Sequence, residues 1–144
     1  MKFVTEILKA KGHDVWTVSS DSTVYDALQM MADKNVGALM VVEGDRLAGV
    51  FSERDYARKI ILKGKASKDT LVSEIMSTEV VWVRPDQTVE VCMNLMTNKR
   101  IRHLAVLKEG RLVGVISIGD IVKAIMSEQE FTIQQLEHYI TGER

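Results

Sequence analysis

The amino-acid sequence predicts an α/β (α+β) fold made of two βαββα repeats related by a pseudo-twofold axis, with small mixed sheets packed against helices. Three observations predict this fold. The chain repeats itself at a fixed interval, and each copy alternates short β-branched runs with apolar residues at helical spacing. Each copy also contains two adjacent strand-like runs that are joined by a short turn.

The internal repeat is the strongest of these observations. Residues 15–61 align with residues 80–126 at an interval of 65 without a gap, and sixteen of the 47 pairs are identical. A short lead-in recurs at a slightly different interval, 4–8 against 72–76. Because a unit of roughly 50 residues buries too little surface to be stable alone, we expect the two copies to pack face to face. The predicted organisation is a first repeat with its lead-in over 1–64, a linker and second repeat over 65–127, and a C-terminal helix over 128–144.

Each copy is predicted to begin with a strand and a helix. The β-branched and bulky runs Val15–Val18 and Val80–Val83 predict the strands. Polar residues whose side-chain oxygens can cap a helix follow each run. Apolar residues then recur at i, i+3, i+4 and i+7, which predicts one buried helical stripe in each copy. These residues are Val24, Ala27, Leu28 and Met31 in the first copy, and Val89, Cys92, Met93 and Met96 in the second.

A hairpin and a second helix complete each predicted copy. A helical connection suits a parallel strand pair, whereas a tight turn suits an antiparallel pair. The second helices are predicted from about Arg54 to Leu62 and from about Gly119 to Ser127. The predicted hairpin strands are Leu39–Val42 with Leu47–Phe51, and Leu104–Leu107 with Leu112–Ile116.

The composition excludes several classes of protein. With 19 basic and 20 acidic residues the formal net charge is -1, so no basic field is available to hold nucleic acid or an anionic membrane. The 46% hydrophobic share is typical of a globular chain, and no apolar run reaches the roughly 18 residues that span a bilayer. The single cysteine, Cys92, excludes an internal disulfide framework. We therefore expect a cytoplasmic protein that binds neither nucleic acid nor membrane.

One segment whose polar side chains could bind a ligand occurs in both copies. Gly49–Asp55 and Gly114–Asp120 each end a predicted strand and open a predicted helix, with a Ser-x-x-Asp pattern in common. A hydroxyl at a helix start lies among unpaired backbone N–H groups, which suits a phosphate, and a carboxylate can accept hydrogen bonds from a ribose diol. The same spacing is also typical of a capping box that needs no ligand, and the spacing alone favours this structural interpretation. The sequence leaves both interpretations open.

The duplicated unit, with Gly-hydrophobic-x-Ser-x-x-Asp at its third strand and second helix, resembles the cystathionine β-synthase (CBS) domain, which occurs in tandem pairs. The resemblance covers the chain from Val4 to Met126. It implies a non-catalytic regulatory module that requires no cofactor and binds AMP, ADP, ATP or NAD(H) in clefts between the repeats. The nucleotide-binding residues that it implies are Thr17, Val18, Val36, Gly37, Ala38, Ser52, Arg54 and Asp55, with Ile101, Arg102, His103, Ser117 and Asp120.

The resemblance also implies partners. Members of the family commonly form dimers, and we expect a homodimer that uses the C-terminal helix and the helices of the repeats. In the C-terminal segment, Ser127 to Glu130 forms a capping-box pattern ahead of several apolar residues. A regulated protein of unknown identity is expected to respond to the bound ligand. The alternative from another class is a structural or dimerisation module whose clefts stay empty. An enzyme is not expected, because no catalytic constellation or glycine-rich phosphate loop is present.

Overall fold

The computed structural model describes residues 2–12 and 14–141, which form two compact units. The first-repeat unit contains Asp14–Val81 and Glu109–Leu112. The second-repeat unit contains the N-terminal segment, Trp82–Lys108 and the chain from Val113 onward. Both are mixed α/β units, as the sequence predicts.

The first-repeat unit is built on a three-stranded sheet in the order β1-β2-β3. Strand β1 (Thr17–Ser19) pairs parallel with β2 (Ala38–Glu43), and β2 pairs antiparallel with β3 (Arg46–Ser52). Helix α2 (Val24–Lys34) connects β1 to β2. The parallel and the antiparallel pair confirm the two kinds of connection predicted from the sequence.

The helices of this unit begin and end at residues that satisfy free backbone groups. The Thr23 hydroxyl accepts a hydrogen bond from the Asp26 amide at 3.2 Å, and α2 ends at Asn35 in the left-handed conformation, with φ 54°. After β3 come the short helix α3 (Glu53–Tyr56) and a π-helical turn over Ala57–Ile61. A 3₁₀ turn, Ser67–Asp69, precedes the short helix α4 (Val72–Ile75).

The second-repeat unit reproduces this arrangement. Its sheet has the order β4-β5-β6, formed by β4 (Trp82–Val83), β5 (His103–Lys108) and β6 (Arg111–Ser117). Strand β4 pairs parallel with β5. The unit also contains α1 (Val4–Lys11), α5 (Val89–Lys99) and α6 (Ile118–Thr141), and α5 is capped by Thr88 as α2 is capped by Thr23.

Apolar side chains from both faces of each sheet form the cores. In the first-repeat unit, the predicted helical stripe packs with the strands and with α4, so that Val24, Ala27 and Phe51 have no exposed surface. In the second-repeat unit, Cys92 and Met96 are buried at the positions equivalent to Ala27 and Met31. Burial of this apolar surface is the main stabilising contribution.

The compact units and the sequence repeats have different boundaries. The lead-in helix α1 belongs to the second-repeat unit, where the Val4 amide donates to the Gln87 carbonyl at 2.9 Å. Residues up to Val81 belong to the first-repeat unit, where the Val72 amide donates to the Ser22 carbonyl at 2.8 Å. The predicted division between 1–64 and 65–127 therefore does not separate the units, because each lead-in supplies backbone bonds to the unit formed around the other repeat.

The C-terminal part of the chain also differs from the prediction. A helix boundary was expected at Ser127, but α6 runs without interruption from Ile118 to Thr141. The capping-box pattern that begins at Ser127 does not start a helix, because Ser127 is itself helical and no proline or glycine follows it before Thr141. Residues 142–144 of the predicted helix lie outside the described residues.

The first strands of both copies are shorter than predicted. The structure places β1 at Thr17–Ser19 and β4 at Trp82–Val83, so both strands start two residues later than the apolar runs. Within the part of the chain that the structure describes, no helix is long and apolar enough to cross a membrane.

Candidate functional site

The motif of the first-repeat unit forms a closed capping box at the junction of β3 and α3. The Ser52 amide donates to Asp55 Oδ2 at 3.0 Å, and the Asp55 amide donates to Ser52 Oγ at 3.2 Å. The hydroxyl of Ser52 also lies 3.1 Å from Asp55 Oδ2. These reciprocal bonds satisfy two backbone donors that would otherwise be free at the helix start.

The motif of the second-repeat unit forms the same box at the start of α6. The Ser117 amide donates to Asp120 Oδ2 at 2.9 Å, and the Asp120 amide donates to Ser117 Oγ at 3.2 Å. The capping interpretation of the Ser-x-x-Asp pattern is therefore confirmed in both units. It does not exclude a ligand, because in each box the capped backbone amide is bonded to Oδ2 and a carboxylate has two oxygens.

A lysine contacts each of the two motif aspartates. Lys11 Nζ donates to Asp120 Oδ2 at 2.7 Å and to the Val115 carbonyl at 2.8 Å. In the first-repeat unit, Lys59 Nζ donates to the Ile75 carbonyl at 2.9 Å and lies 3.4 Å from Asp55 Oδ1. Each carboxylate thus has an ammonium group beside it that partly balances its charge.

The charge state of Asp120 follows from these contacts. Partial burial by itself raises the pKa of this carboxyl. The hydrogen bond from Lys11, the bonds from the Ser117 amide and hydroxyl and the charge of Lys11 act in the opposite direction and leave the pKa below its ordinary value of 3.8. Asp120 is therefore a carboxylate at neutral pH.

The start of the second strand lies beside the motif in both units. In the first-repeat unit Ala38 is the register partner of Ser52, and the Glu53 amide donates to the Gly37 carbonyl at 3.1 Å. In the second-repeat unit the Ile118 amide donates to the Arg102 carbonyl at 2.8 Å. In each unit the predicted residues at the start of the second strand are thus adjacent to the Ser-x-x-Asp motif.

The exposure of the predicted residues separates them into two groups. Two of the predicted residues, Arg54 and Arg102, are exposed. Eight others are partly exposed: Ser52, Asp55, Ser117, Asp120, Val36, Gly37, Ile101 and His103. Ala38 is buried at the start of β2. Val18 is also buried, with 7% of its surface exposed, because it packs in the core of the first-repeat unit. Its side chain therefore belongs to the core, and its assignment to the nucleotide site stays a prediction.

Thr17 is partly exposed, but it lies away from the motif strand. It pairs with Met40 on β2, and β2 separates β1 from β3 in the sheet. Thr17 is therefore one strand removed from Ser52.

The motif glycines leave room for the lead-in segments of the chain and the residue after the second one, which pack directly against them. A Cβ atom on Gly49 would lie 2.7 Å from the Ser77 carbonyl oxygen and 2.8 Å from Met76 Sδ. A Cβ atom on Gly114 would lie 2.5 Å from Leu8 Cδ2. The close approach that these glycines permit is therefore made by the protein's own chain.

A pocket of about 410 Å³ lies next to the motif of the first-repeat unit. It includes Val36 and Gly37 from the predicted set, and its complete lining is Leu28, Met31, Ala32, Asn35, Val36, Gly37 and Glu53. Sequence reasoning did not select Asn35 or Glu53. The left-handed conformation that ends α2 at Asn35 brings the following residues back towards the start of α3.

The two lysines at the motifs were also not selected from the sequence. Lys59 follows Asp55 by four residues, a spacing that favours an ion pair on a helix and could have identified it. Lys11 is 109 positions from Asp120, and no local pattern joins them. No group of three or more His, Cys, Asp or Glu residues among 2–12 and 14–141 is arranged to hold a metal ion.

The fold and the motifs define a duplicated α/β protein in which each repeat carries the same strand-to-helix site. The CBS domain matches this chain twice, over residues 4–62 and 72–127. The mitochondrial CBS domain-containing protein CBSX3 of Arabidopsis thaliana is 43% identical, with 96% of this chain and 72% of that protein aligned. This chain belongs to the CBS domain family, of which it contains a tandem pair.

Solved structures agree with this assignment. A protein with CBS domains from Burkholderia ambifaria MC40-6 is 50% identical and superposes with a TM-score of 0.86, covering 89% of this chain and 96% of that one. The CBS domain protein PAE2072 from Pyrobaculum aerophilum, solved in complex with AMP, shares the fold, with a TM-score of 0.75 and 24% identity over 83% of this chain and 89% of that one.

Proposed function

We propose that this protein is a non-catalytic regulatory module that binds an adenine nucleotide at its Ser-x-x-Asp motifs and passes the bound state to a partner protein. The ligand classes are AMP, ADP, ATP and NAD(H). A ligand that binds one arrangement of the chain more tightly than another shifts the population towards it, which is how a module without chemistry of its own can regulate a partner.

The observation that carries the proposal is the position of the motif beside the start of the second strand. Asp120 is a carboxylate at neutral pH, and its Oδ1 atom takes no part in the contacts described for Oδ2. A ribose hydroxyl could therefore donate to Asp120 without breaking the capping box. In the first-repeat unit the same capping box leaves Asp55 Oδ1 at 3.4 Å from Lys59, which a ribose hydroxyl would have to share.

AMP is the first ligand to test. The family membership of the chain supports a regulatory role, and the Pyrobaculum aerophilum protein with the same fold was solved with AMP. NAD(H), ADP and ATP share the adenosine group and differ in the number and position of their phosphates. A panel of the four therefore separates recognition of adenosine from recognition of phosphate.

Thermal unfolding in the presence of each nucleotide tests the proposal. A ligand at about 100 times its Kd stabilises the folded protein by about 2.7 kcal/mol, which raises Tm by several degrees. Asp120→Asn and Asp55→Asn keep an oxygen for the cap but remove the charge, and each should weaken nucleotide binding. Asp45→Asn, in the exposed turn between β2 and β3, is the matched control and should bind as the wild type does. A panel with no rise in Tm for any nucleotide contradicts the proposal.

A structural module is the second candidate function, and two observations favour it. Both capping boxes are closed by the protein's own groups, so the motifs are satisfied without a ligand. The last part of α6 is also open to solvent, because every described residue from 129 to 140 is exposed. This second candidate predicts an assembled protein that no nucleotide stabilises.

We propose that α6 joins two copies of the chain into a homodimer. Apolar residues recur along one face of this helix at spacings of three, four and seven, and all are exposed by 37% to 81%: Ile118, Val122, Met126, Ile133, Leu136 and Ile140. A contiguous exposed apolar surface of this kind is typical of a site of protein–protein contact. The homodimer is compatible with both the regulatory and the structural candidate.

A further inference from the structure

Lys11 lies at the motif of the second-repeat unit although it belongs to the N-terminal helix. Its Nζ atom is 2.7 Å from Asp120 Oδ2 and 2.8 Å from the Val115 carbonyl. The side chain is 34% exposed, so the ammonium group lies at the edge of the site, where a ligand can reach it. This lysine therefore contributes a positive charge directly beside the carboxylate assigned to ribose.

The hydrogen bonds of Lys11 leave part of its capacity unused. An ammonium group has three N–H donors, and the contacts with Asp120 and Val115 use two of them. The same contacts leave Oδ1 of Asp120 as an acceptor. One donor and one acceptor thus lie side by side, which is the combination that a phosphorylated ribose requires.

The lysines at the two motifs do not occupy equivalent positions in the two repeats, so the duplication alone does not explain them. In the first-repeat unit the equivalent contacts, to Asp55 and to a backbone carbonyl, are made by Lys59. The residue that aligns with Lys59 in the second copy is Ala124, and the residue that aligns with Lys11 in the second lead-in is Glu79. The two units therefore place an ammonium group beside the motif aspartate from different chain positions and with different backbone partners, which indicates a common need for a cation at this place.

The surroundings of Asp120 favour an anionic ligand more than those of Asp55 do. Arg102 is exposed and its carbonyl accepts a hydrogen bond from Ile118, so it lies next to the motif, whereas the equivalent residue in the first-repeat unit is Gly37. The first motif contains the acidic Glu53 where the second contains Ile118. The first motif also contains Arg54 where the second contains Gly119, so the second-repeat site differs by having one acidic side chain fewer around its carboxylate.

We propose that Lys11 is a phosphate-binding residue of the second-repeat unit, donating its third N–H to the phosphate of a nucleotide whose ribose bonds to Asp120. This inference rests on the proposed nucleotide binding and adds a residue that binds the phosphate. It makes the N-terminal helix α1 part of the site, although the lead-in precedes the first repeat in the chain.

Isothermal titration calorimetry with AMP and with adenosine tests this role in the chain of 144 residues. Lys11→Met removes the ammonium and keeps most of the apolar stem, so AMP affinity should fall about tenfold or more while adenosine affinity stays unchanged. Lys11→Arg should retain most of the AMP affinity. Lys9→Met, on the exposed face of the same helix, is the matched control and should behave as the wild type. Should Lys11→Met fail to fold, Lys11→Gln replaces it, with the same expected loss for AMP alone.

The outcomes separate this inference from the function on which it rests. Equal losses for AMP and adenosine would show that Lys11 only holds Asp120 and α1 in place, which overturns the phosphate-binding role. Unchanged AMP affinity in a folded Lys11 variant overturns it as well. A wild-type protein that binds neither AMP nor adenosine contradicts the proposed function itself, and the role of Lys11 fails with it.

Discussion

Lys11 Nζ and Asp120 Oδ2 are 2.7 Å apart, although the two residues are 109 positions apart in the chain. Lys11 ends the first helix of the chain and Asp120 lies in the first turn of the last helix. The ion pair is partly buried, with 34% and 22% of the two side chains exposed. It joins the N-terminal helix to the motif at which we propose that a nucleotide binds.

The first prediction concerns the pH dependence of stability. Because the folded state lowers the pKa of Asp120 below its ordinary value of 3.8, the unfolded chain binds the proton more readily. The stabilisation from this carboxylate is therefore fully present above the ordinary value and is lost as the pH falls through it towards the lowered pKa. The difference in unfolding free energy between the wild type and Asp120→Asn should be constant above about pH 5 and should shrink as the pH falls from there through 3.8 and below.

Chemical denaturation of both proteins across this range measures the difference. Lys11→Met should reduce the same pH-dependent difference, because it removes both the hydrogen bond and the charge that lower the pKa. A difference between wild type and Asp120→Asn that stays constant over the range would contradict the predicted shift.

The second prediction concerns the two motif glycines. Gly49→Ala should destabilise the protein by about 1–3 kcal/mol, because its Cβ would meet the Ser77 carbonyl in the backbone bridge between Val50 and Ser77. Gly114→Ala should cost less, since the Cβ would meet the end of the Leu8 side chain, which can change its rotamer. Urea denaturation of the two variants gives the comparison. The explanation is wrong if Gly114→Ala is the more destabilising change.

The third prediction concerns Cys92. Burial raises the pKa of its thiol to about 11, against a smaller opposing backbone hydrogen bond, and the charge of Glu90 raises it further. The side chain also has no exposed surface. Because the thiolate is the reactive species, iodoacetamide should label Cys92 very slowly at about pH 8 in the folded protein and readily after unfolding. Labelling of the folded protein at the rate of a free thiol would contradict this.

The fourth prediction concerns assembly through α6. Leu136→Glu places a charge in the exposed apolar face of the helix and should convert a dimer into a monomer, as measured by light scattering coupled to size exclusion. The neighbouring Gln135→Glu introduces the same charge on another face of the helix and should leave the dimer intact. The assembly proposal fails if the wild type is monomeric at micromolar concentration or if both variants remain dimeric.

Most of the fold could be predicted from the sequence because its signals are local and occur twice. The helical stripe of α2, from Val24 to Met31, and the turn between β2 and β3 each depend on a few neighbouring residues. The same patterns recur in the second repeat, which supports each of these assignments. The exchange of lead-in segments was not predictable, because backbone bonds such as that from Val4 to Gln87 join residues that no local pattern relates.

The candidate site was predictable only in part, for the same reason. The Ser-x-x-Asp spacing identified the capping boxes, and their proximity to Gly37 and Arg102 agrees with the residues chosen. Side chains alternate between the two faces of a strand, and the short run from Val15 to Val18 does not show which face the core covers, so the burial of Val18 could not be predicted from it. The continuity of α6 was missed because a capping-box pattern within a helix has the same letters as one that starts a helix.

Amide chemical shifts during a titration with AMP test the central claim most directly. The amides of Ser52 and Ser117 donate to the motif aspartates, at 3.0 Å and 2.9 Å, so their ¹⁵N–¹H signals report on any ligand that bonds to these carboxylates. We predict saturable shifts of the Ser117 signal, the Ser52 signal or both, together with those of neighbouring residues at the start of β5 or β2. Saturating AMP that leaves both serine signals unmoved, or that shifts only signals remote from the two motifs, would contradict the account.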